Sequence, residues 1–385
     1  MRAAGADAFR VGRRKPPQAP ASKSGQCNIG HPDHSMPLPM SARSLLIASL
    51  LCAGPAFAQT SPSWHVEPSG TTAELRGLSV VSDKVAWASG AKGTVLRTVD
   101  GVRWQALQLP DAGAIDLRDI HAFDAQSAIV MGAGPGAASR LYATADGGAT
   151  WRLLATNSYA DGFWDAMAFW DKDNGILFGD PVKGRFQVYA TTDGGASWRE
   201  LQASGLEAMP NEGAFAASGT CLTVAGTNDA WIATGGAGSS RVFHSSDRGR
   251  TWRAAATPIP AGAPAKGVFS VAFANAREGV AVGGDYKERL LAGVNGALTA
   301  DGGATWTPAQ VAPAGYMSVV VPVPGAPRAF VAAGLAGSGY SRDDGKSWTV
   351  LADTPVNTVG FANPSSGWAV GPKGLLMKYT GPALK

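Results

Sequence analysis

Cysteine is scarce, and its placement excludes most of what it builds elsewhere. Only Cys27, Cys52 and Cys221 occur in 385 residues. The first two fall in an N-terminal stretch read below as a leader. Cys221 then stands alone, which excludes an intrachain disulfide and a thiolate metal centre in the remainder. It lies in an apolar run, Thr220–Ala225, and is expected to be buried rather than reactive. Histidine is as thin. His65, His121 and His244 follow the leader, with no pair at ligand spacing. No haem Cys pair and no phosphate loop between a strand and a helix supports redox chemistry. Charged residues make up only 16% of the chain, and no long amphipathic helix is apparent. The net charge of +4 belongs to the first 58 residues, which hold seven Lys or Arg against two Asp; the rest comes to about −1. A nucleic-acid partner thereby loses its electrostatic basis.

Residues 1–39 are rich in Pro, Arg and small residues and lack apolar periodicity. Then come Arg43, the apolar run Leu45–Leu51 and Ala56-Phe57-Ala58. A positive start, a short apolar core and a small-x-small site make a secretory signal peptide over about residues 40–58. The run is too short to span a bilayer. The expected product begins near Gln59, is periplasmic or secreted, carries no transmembrane segment and is monomeric. Met36 or Met40 is the expected start of translation. Leu51 before Cys52 does not suit a lipoprotein signal.

Glycine, by contrast, is abundant at 50 residues, and the chain holds 12 tryptophans. Both cluster in a recurring phrase. Thr144-Ala-Asp146-Gly-Gly148-Ala-Thr150-Trp151 returns around Asp193, Asp247, Asp301 and Asp343, and in a copy one residue short around Asp100. An Asp side chain pins nearby backbone N–H groups, and Gly supplies the positive φ of a tight turn. The Trp that follows is large enough to wedge between packed sheets. Spelled S/T-x-D-x-G-x-S/T-W, the phrase resembles the Asp-box, or bacterial neuraminidase repeat. Its Asp residues are then structural rather than catalytic.

The tryptophans after these turns are spaced 47, 47, 54, 54 and 42 residues apart. Each unit holds two apolar runs, a third strand leading into the phrase and a closing strand after it. Four short strands per unit of this length predict an all-β protein, a β-propeller with four-stranded blades. The last unit, Val356–Thr380, lacks its closing strand, and Trp64-His-Val66 is an orphan one. Residues 59–385 are therefore expected to form seven blades, closed by the N-terminal strand joining the last blade. Six blades with that strand outside the ring is the alternative.

In such a blade, residues just before strand one and just after strand two meet on one face, opposite the Asp turns. These positions hold Asp165, Asp180, Glu212 and Asp285, with Arg76, Arg118, Lys183, Arg185, Lys287 and Arg289 among the basic groups. Tyr286, Tyr316 and Trp164 add aromatic surface. The candidate binding funnel is Arg76, Arg118, Asp165, Asp180, Glu212, Asp285, Tyr286 and Lys287. The connections Glu200–Asn211 and Asp285–Gly296 are long enough to fold over it. Paired carboxylates beside aromatic rings suit a sugar or a basic protein segment, acid–base cleavage of a glycoside, or a hard divalent cation held through oxygen. No other cofactor is expected.

Over residues 64–380 the chain resembles the Asp-box propellers of the photosystem II stability and assembly factor family, which has exported bacterial relatives outside photosynthesis. The resemblance rests on Gly367-Trp-Ala-Val-Gly371 and the phrases above. It implies a seven-bladed, non-enzymatic binding scaffold for membrane-protein assembly; with the acidic funnel, the expected partner of this chain is a protein or a glycan. The competing resemblance is to sialidases and other Asp-box glycosidases, which implies a glycoside hydrolase. The Phe/Tyr-Arg-Ile-Pro motif of sialidases is absent, and no residue of the chain is anchored in their catalytic roles.

Overall fold

A computed structural model describes residues 64–385 apart from 111 and 237. The leader, its signal peptide and the start of translation lie outside these residues. Seven four-stranded antiparallel sheets make up the described chain. Their first strands are Leu75–Val80, Asp116–Ala122, Trp164–Phe169, Leu222–Ala225, Lys266–Phe273, Val319–Val323 and Thr358–Asn363. Each first strand packs against the next, and the seventh against the first, so the sheets close into a ring. This is the seven-bladed propeller, and the six-bladed alternative falls away. No described helix is long and apolar enough to cross a membrane.

Closure follows the sequence expectation. Trp64–Val66 pairs antiparallel with Leu376–Tyr379 as the outer strand of blade 7, with Trp64 opposite Tyr379. The Trp64 ring sits edge-on to Phe361 and Tyr379, with centroids 5.8 and 5.3 Å away. Stacking aromatic bodies there anchors a strand of three residues, too short to hold by backbone pairing alone.

The recurring phrase forms one turn each time. At Asp146, Oδ1 accepts from the Thr144 hydroxyl (2.8 Å) and the Thr150 N–H (2.9 Å), and Oδ2 accepts from the Thr150 hydroxyl (2.6 Å). The turns at Asp193, Asp247, Asp301 and Asp343 repeat these contacts. The short copy keeps only part of the pattern: Asp100 accepts from the Val102 and Arg103 N–H groups and from the Thr98 hydroxyl. Four of the following indoles (Trp198, Trp252, Trp306 and Trp348) donate back to the carbonyl of the glycine two residues after the turn's Asp.

Hydrogen bonds link blade to blade right round the ring. Asn357 donates to Leu75 O, and Ser89 to Leu117 O. The Met167 N–H donates to Asp119, and the Ala214 N–H to Asp180. The hydroxyls of Thr220 and Ser270 meet at 2.6 Å, the Val320 N–H donates to Ser270, and Ser318 donates to Asn357 O. Paired polar groups of this kind satisfy strand edges where the blades converge.

Candidate functional site

The first strands carry a shared irregularity. The register of strand one against strand two slips between Leu75 and Gly77, Leu117 and Asp119, Trp164 and Ala166, and Val268 and Ser270. The extra residues are Arg76, Arg118, Asp165 and Phe269. A β-bulge re-aims a side chain that regular alternation would point along the sheet face. All four line one central pocket of about 460 Å³.

That pocket draws on all seven blades. Glu74 and Arg76, Arg118, Asp165 and Asp180, Phe215, Phe269 and Tyr286, Tyr316 and Ser318, and Asn357 come from successive blades. Its floor is the lead-in to blade 4. There Arg118 donates to Ala216 O (3.3 Å), the Ala214 N–H donates to Asp180 Oδ1 (2.8 Å), and Ser218 donates to Ser318 O (2.7 Å). The segment thus reaches the first strands of blades 2 and 6 and the second strand of blade 3, so the face opens into a pocket rather than a channel.

The two halves of the pocket differ in chemistry. Phe215 and Phe269 stack at 3.7 Å, Tyr316 stands edge-on to Phe269 at 4.7 Å, and Tyr286 sits 6.2 Å from Phe269. In the same lining, Arg76 pairs with Glu74 and Arg118 with Asp116, each at 2.8 Å and each two residues apart. Both guanidinium groups are therefore already matched. Asp165 and Asp180 have no basic group within ion-pair distance among the described residues. Asp165 is 1% exposed, and its Oδ2 has no hydrogen-bond partner among them. Burial holds Asp165 well above the usual carboxylate range; the neighbouring Asp180 charge adds to this and Arg118 opposes it. Burial lifts Asp180 to about 6, against the Ala214 N–H that it accepts.

Of the eight funnel candidates, Arg76, Arg118, Asp165, Asp180 and Tyr286 meet in the pocket. Glu212, Asp285 and Lys287 are not brought to it. Glu212 is clamped inside blade 4: it accepts from Arg241 Nε (2.8 Å), the Thr234 hydroxyl (2.7 Å) and the Met209 N–H (2.8 Å). Asp285 ends a strand opposite Lys266, 3.8 Å from its ammonium, and caps the Lys287 N–H. Lys287 points to solvent. Trp164 is core, 2% exposed, and Lys183 and Arg185 line a separate pocket of about 250 Å³ with Tyr159 and Glu200. Glu200–Asn211 does not cover the funnel but bridges to blades 3 and 4 through Arg185–Glu207 and Ser204–Thr251. Phe215, Phe269, Glu74 and Asn357 escaped the sequence reading. Phe269 sits in a mostly apolar run, Val268–Phe273, where only the bulge reveals that it faces the axis.

The fold and pocket define a closed seven-bladed propeller with a concave site at its axis. No protein-family model matches the chain, and no curated protein matches it. Solved structures are similar in fold. YCF48 bound to a D1 peptide aligns with TM-score 0.60 at 17% identity, over 83% of this chain and 97% of that one. YCF48 from Cyanidioschyzon merolae aligns at 0.58 and 15%, over 83% and 99%. The GH74 xyloglucanase from Xanthomonas campestris aligns at 0.52 and 16%, covering 82% of this chain and 53% of that one. These likenesses establish the fold and nothing finer.

Proposed function

We propose that this protein is a non-enzymatic binding scaffold that takes a protein partner at its axial pocket. The observation that carries this reading is the convergence of seven blades on one pocket with an aromatic wall and two carboxyl groups that lack a basic partner among the described residues, Asp165 buried and Asp180 half-buried. Buried aromatics beside a few polar groups are how protein surfaces anchor partners. Similarity in fold to a propeller seen with a bound peptide supports it. Peptides selected from a random display library should lose binding to a Tyr286→Ala/Asp180→Ala double variant that still folds. Retention of every selected peptide by that variant would refute the site. The same reading takes the scaffold to be exported and monomeric, which cell fractionation and sedimentation test.

The glycoside hydrolase reading keeps one specific support. Asp165 and Asp180 are neighbouring carboxyl groups whose environments both favour the proton, the raw material for acid–base work. Turnover of any member of a glycan panel, abolished by Asp180→Asn, would favour it over the scaffold. A glycan that binds without turnover would instead extend the scaffold's ligands. For a divalent cation the pocket offers Asp165 and Asp180, with Glu74 already paired to Arg76, and among the described residues no group of three or more His, Cys, Asp or Glu is placed to hold one.

A further inference from the structure

We infer that the partner segment recognised here presents a lysine or arginine side chain, whose cationic head meets Asp165 and Asp180 while its stem lies on the Phe215–Phe269–Tyr286–Tyr316 wall. This rests on the scaffold reading and names the chemistry of its ligand.

Charge balance makes the first argument. Glu74 neutralises Arg76 and Asp116 neutralises Arg118 within their own strands. An anionic ligand meets guanidinium groups whose charge is already balanced, whereas a cation finds two carboxyl groups with no basic partner within ion-pair distance among the described residues. Asp165, set by a bulge in the pocket lining, also keeps a buried Oδ2 without a hydrogen-bond partner among the described residues. A buried polar atom without a partner is costly, and a ligand donor removes that cost. The second argument is shape. Long basic side chains join an apolar stem to a charged head, and the head is attracted to aromatic faces. The same pocket lining holds both the carboxyl groups and the four rings, which match the two parts.

The rim indicates that the cation belongs to a polypeptide rather than to a free amine. The loop that begins at Tyr286 carries Leu290 and Leu291, which are 73% and 57% exposed. They follow Arg289, whose carbonyl accepts the N–H of the pocket residue Tyr316, and so offer apolar seats for residues flanking the basic one, which a small amine would leave empty.

Proton linkage supplies a further readout. The titratable and charged groups around the pair are Arg118 and Asp119 from one strand and Cys221 beside the first strand of blade 4, with Glu74, Arg76, Tyr286 and Tyr316 elsewhere in the pocket lining. Burial raises both Asp165 and Asp180 above the usual carboxylate range, so a cation binds best after they ionise. Affinity therefore rises with pH from 5 to 8, and binding releases protons.

The test is fluorescence anisotropy with the full-length protein and a series of extended, apolar-flanked peptides that differ at one central residue. Arginine and lysine peptides are expected to bind. Replacing arginine by citrulline, which keeps the shape and removes the charge, should weaken binding about 30-fold, the scale for removing one partner of a buried charge pair. Asp180→Asn should abolish the difference between the two peptides. Leu290→Ser, on an exposed loop and harmless to folding, should weaken both. Equal binding of arginine, citrulline and glutamate peptides would overturn the inference and leave the scaffold standing. Binding of free N-acetylarginine amide as tight as that of the peptide would overturn the polypeptide part. Absence of any peptide binding would overturn both readings.

Discussion

Single residues set the pH behaviour of this propeller, and they pull in opposite directions. The turn carboxylates at Asp146, Asp193 and Asp301 are held down to about 2, chiefly by the hydroxyl and N–H of the residue four positions on. A carboxyl group lowered on folding contributes stability that is present above its unfolded value and lost as pH falls through its folded one. The interior does the reverse. Burial raises Asp180 to about 6 and Asp119 to about 7, so their contribution is full below about 4 and lost as pH rises to about 7. Chemical denaturation across pH should give a maximum near pH 4–5, a fall toward pH 2, and a second decline to pH 8 that Asp180→Asn makes shallower. Asp119 also explains Gly219. This glycine has φ +74, and a Cβ there would lie 2.2 Å from Asp119 Oδ1, which itself holds the Ile120 N–H. Gly219→Ala should cost about 2 kcal/mol or more in urea unfolding, from backbone strain and the crowded buried carboxyl together. An unchanged midpoint would remove Asp119 as a fixed strut between blades 2 and 3.

At the scale of elements, the turns and strands were legible in the sequence because each repeats a local physical device. The Asp–Ser/Thr–Gly turn is written in eight consecutive residues, and alternating apolar runs fixed the strands on either side. Trp87, Trp231 and Trp368 in the second strands are fully buried. Trp231 shows why: its ring lies 3.7 Å from Phe273 in the next blade and 4.7 Å from His244, and its N–H reaches Gly302 O at 2.8 Å. Trp231→Ala should destabilise by about 3–5 kcal/mol, the range for emptying a buried aromatic site, as measured by the denaturation midpoint. What escaped the sequence was the bulge. It adds one residue to strand one, leaves no motif, and decides whether Arg76, Arg118, Asp165 and Phe269 face the axis. Glu212 escaped for the opposite reason. Its position before strand one was right, but Arg241 and Thr234, some 22 to 29 residues later, turn it into an internal clamp.

At the scale of the whole molecule, ring closure joins the two ends of the described chain. Counting phrases and finding the orphan Trp64 strand was enough to predict it, because a seventh blade short of one strand has an open edge. Trp64→Ala should loosen blade 7, raising hydrogen exchange across Leu376–Tyr379 before the other blades respond. Uniform exchange in all blades would mean that the ring does not depend on this strand.

The central claim is that the axial pocket is where a protein partner is held. The direct measurement is in-cell photo-cross-linking with a benzophenone amino acid at Tyr286, on the pocket rim, and at Leu153, on an outer strand of blade 2 and half exposed. The account predicts a defined cross-linked species from position 286, weakened by Asp180→Asn and absent from position 153. The same species from both positions, or one from position 153 alone, would contradict it.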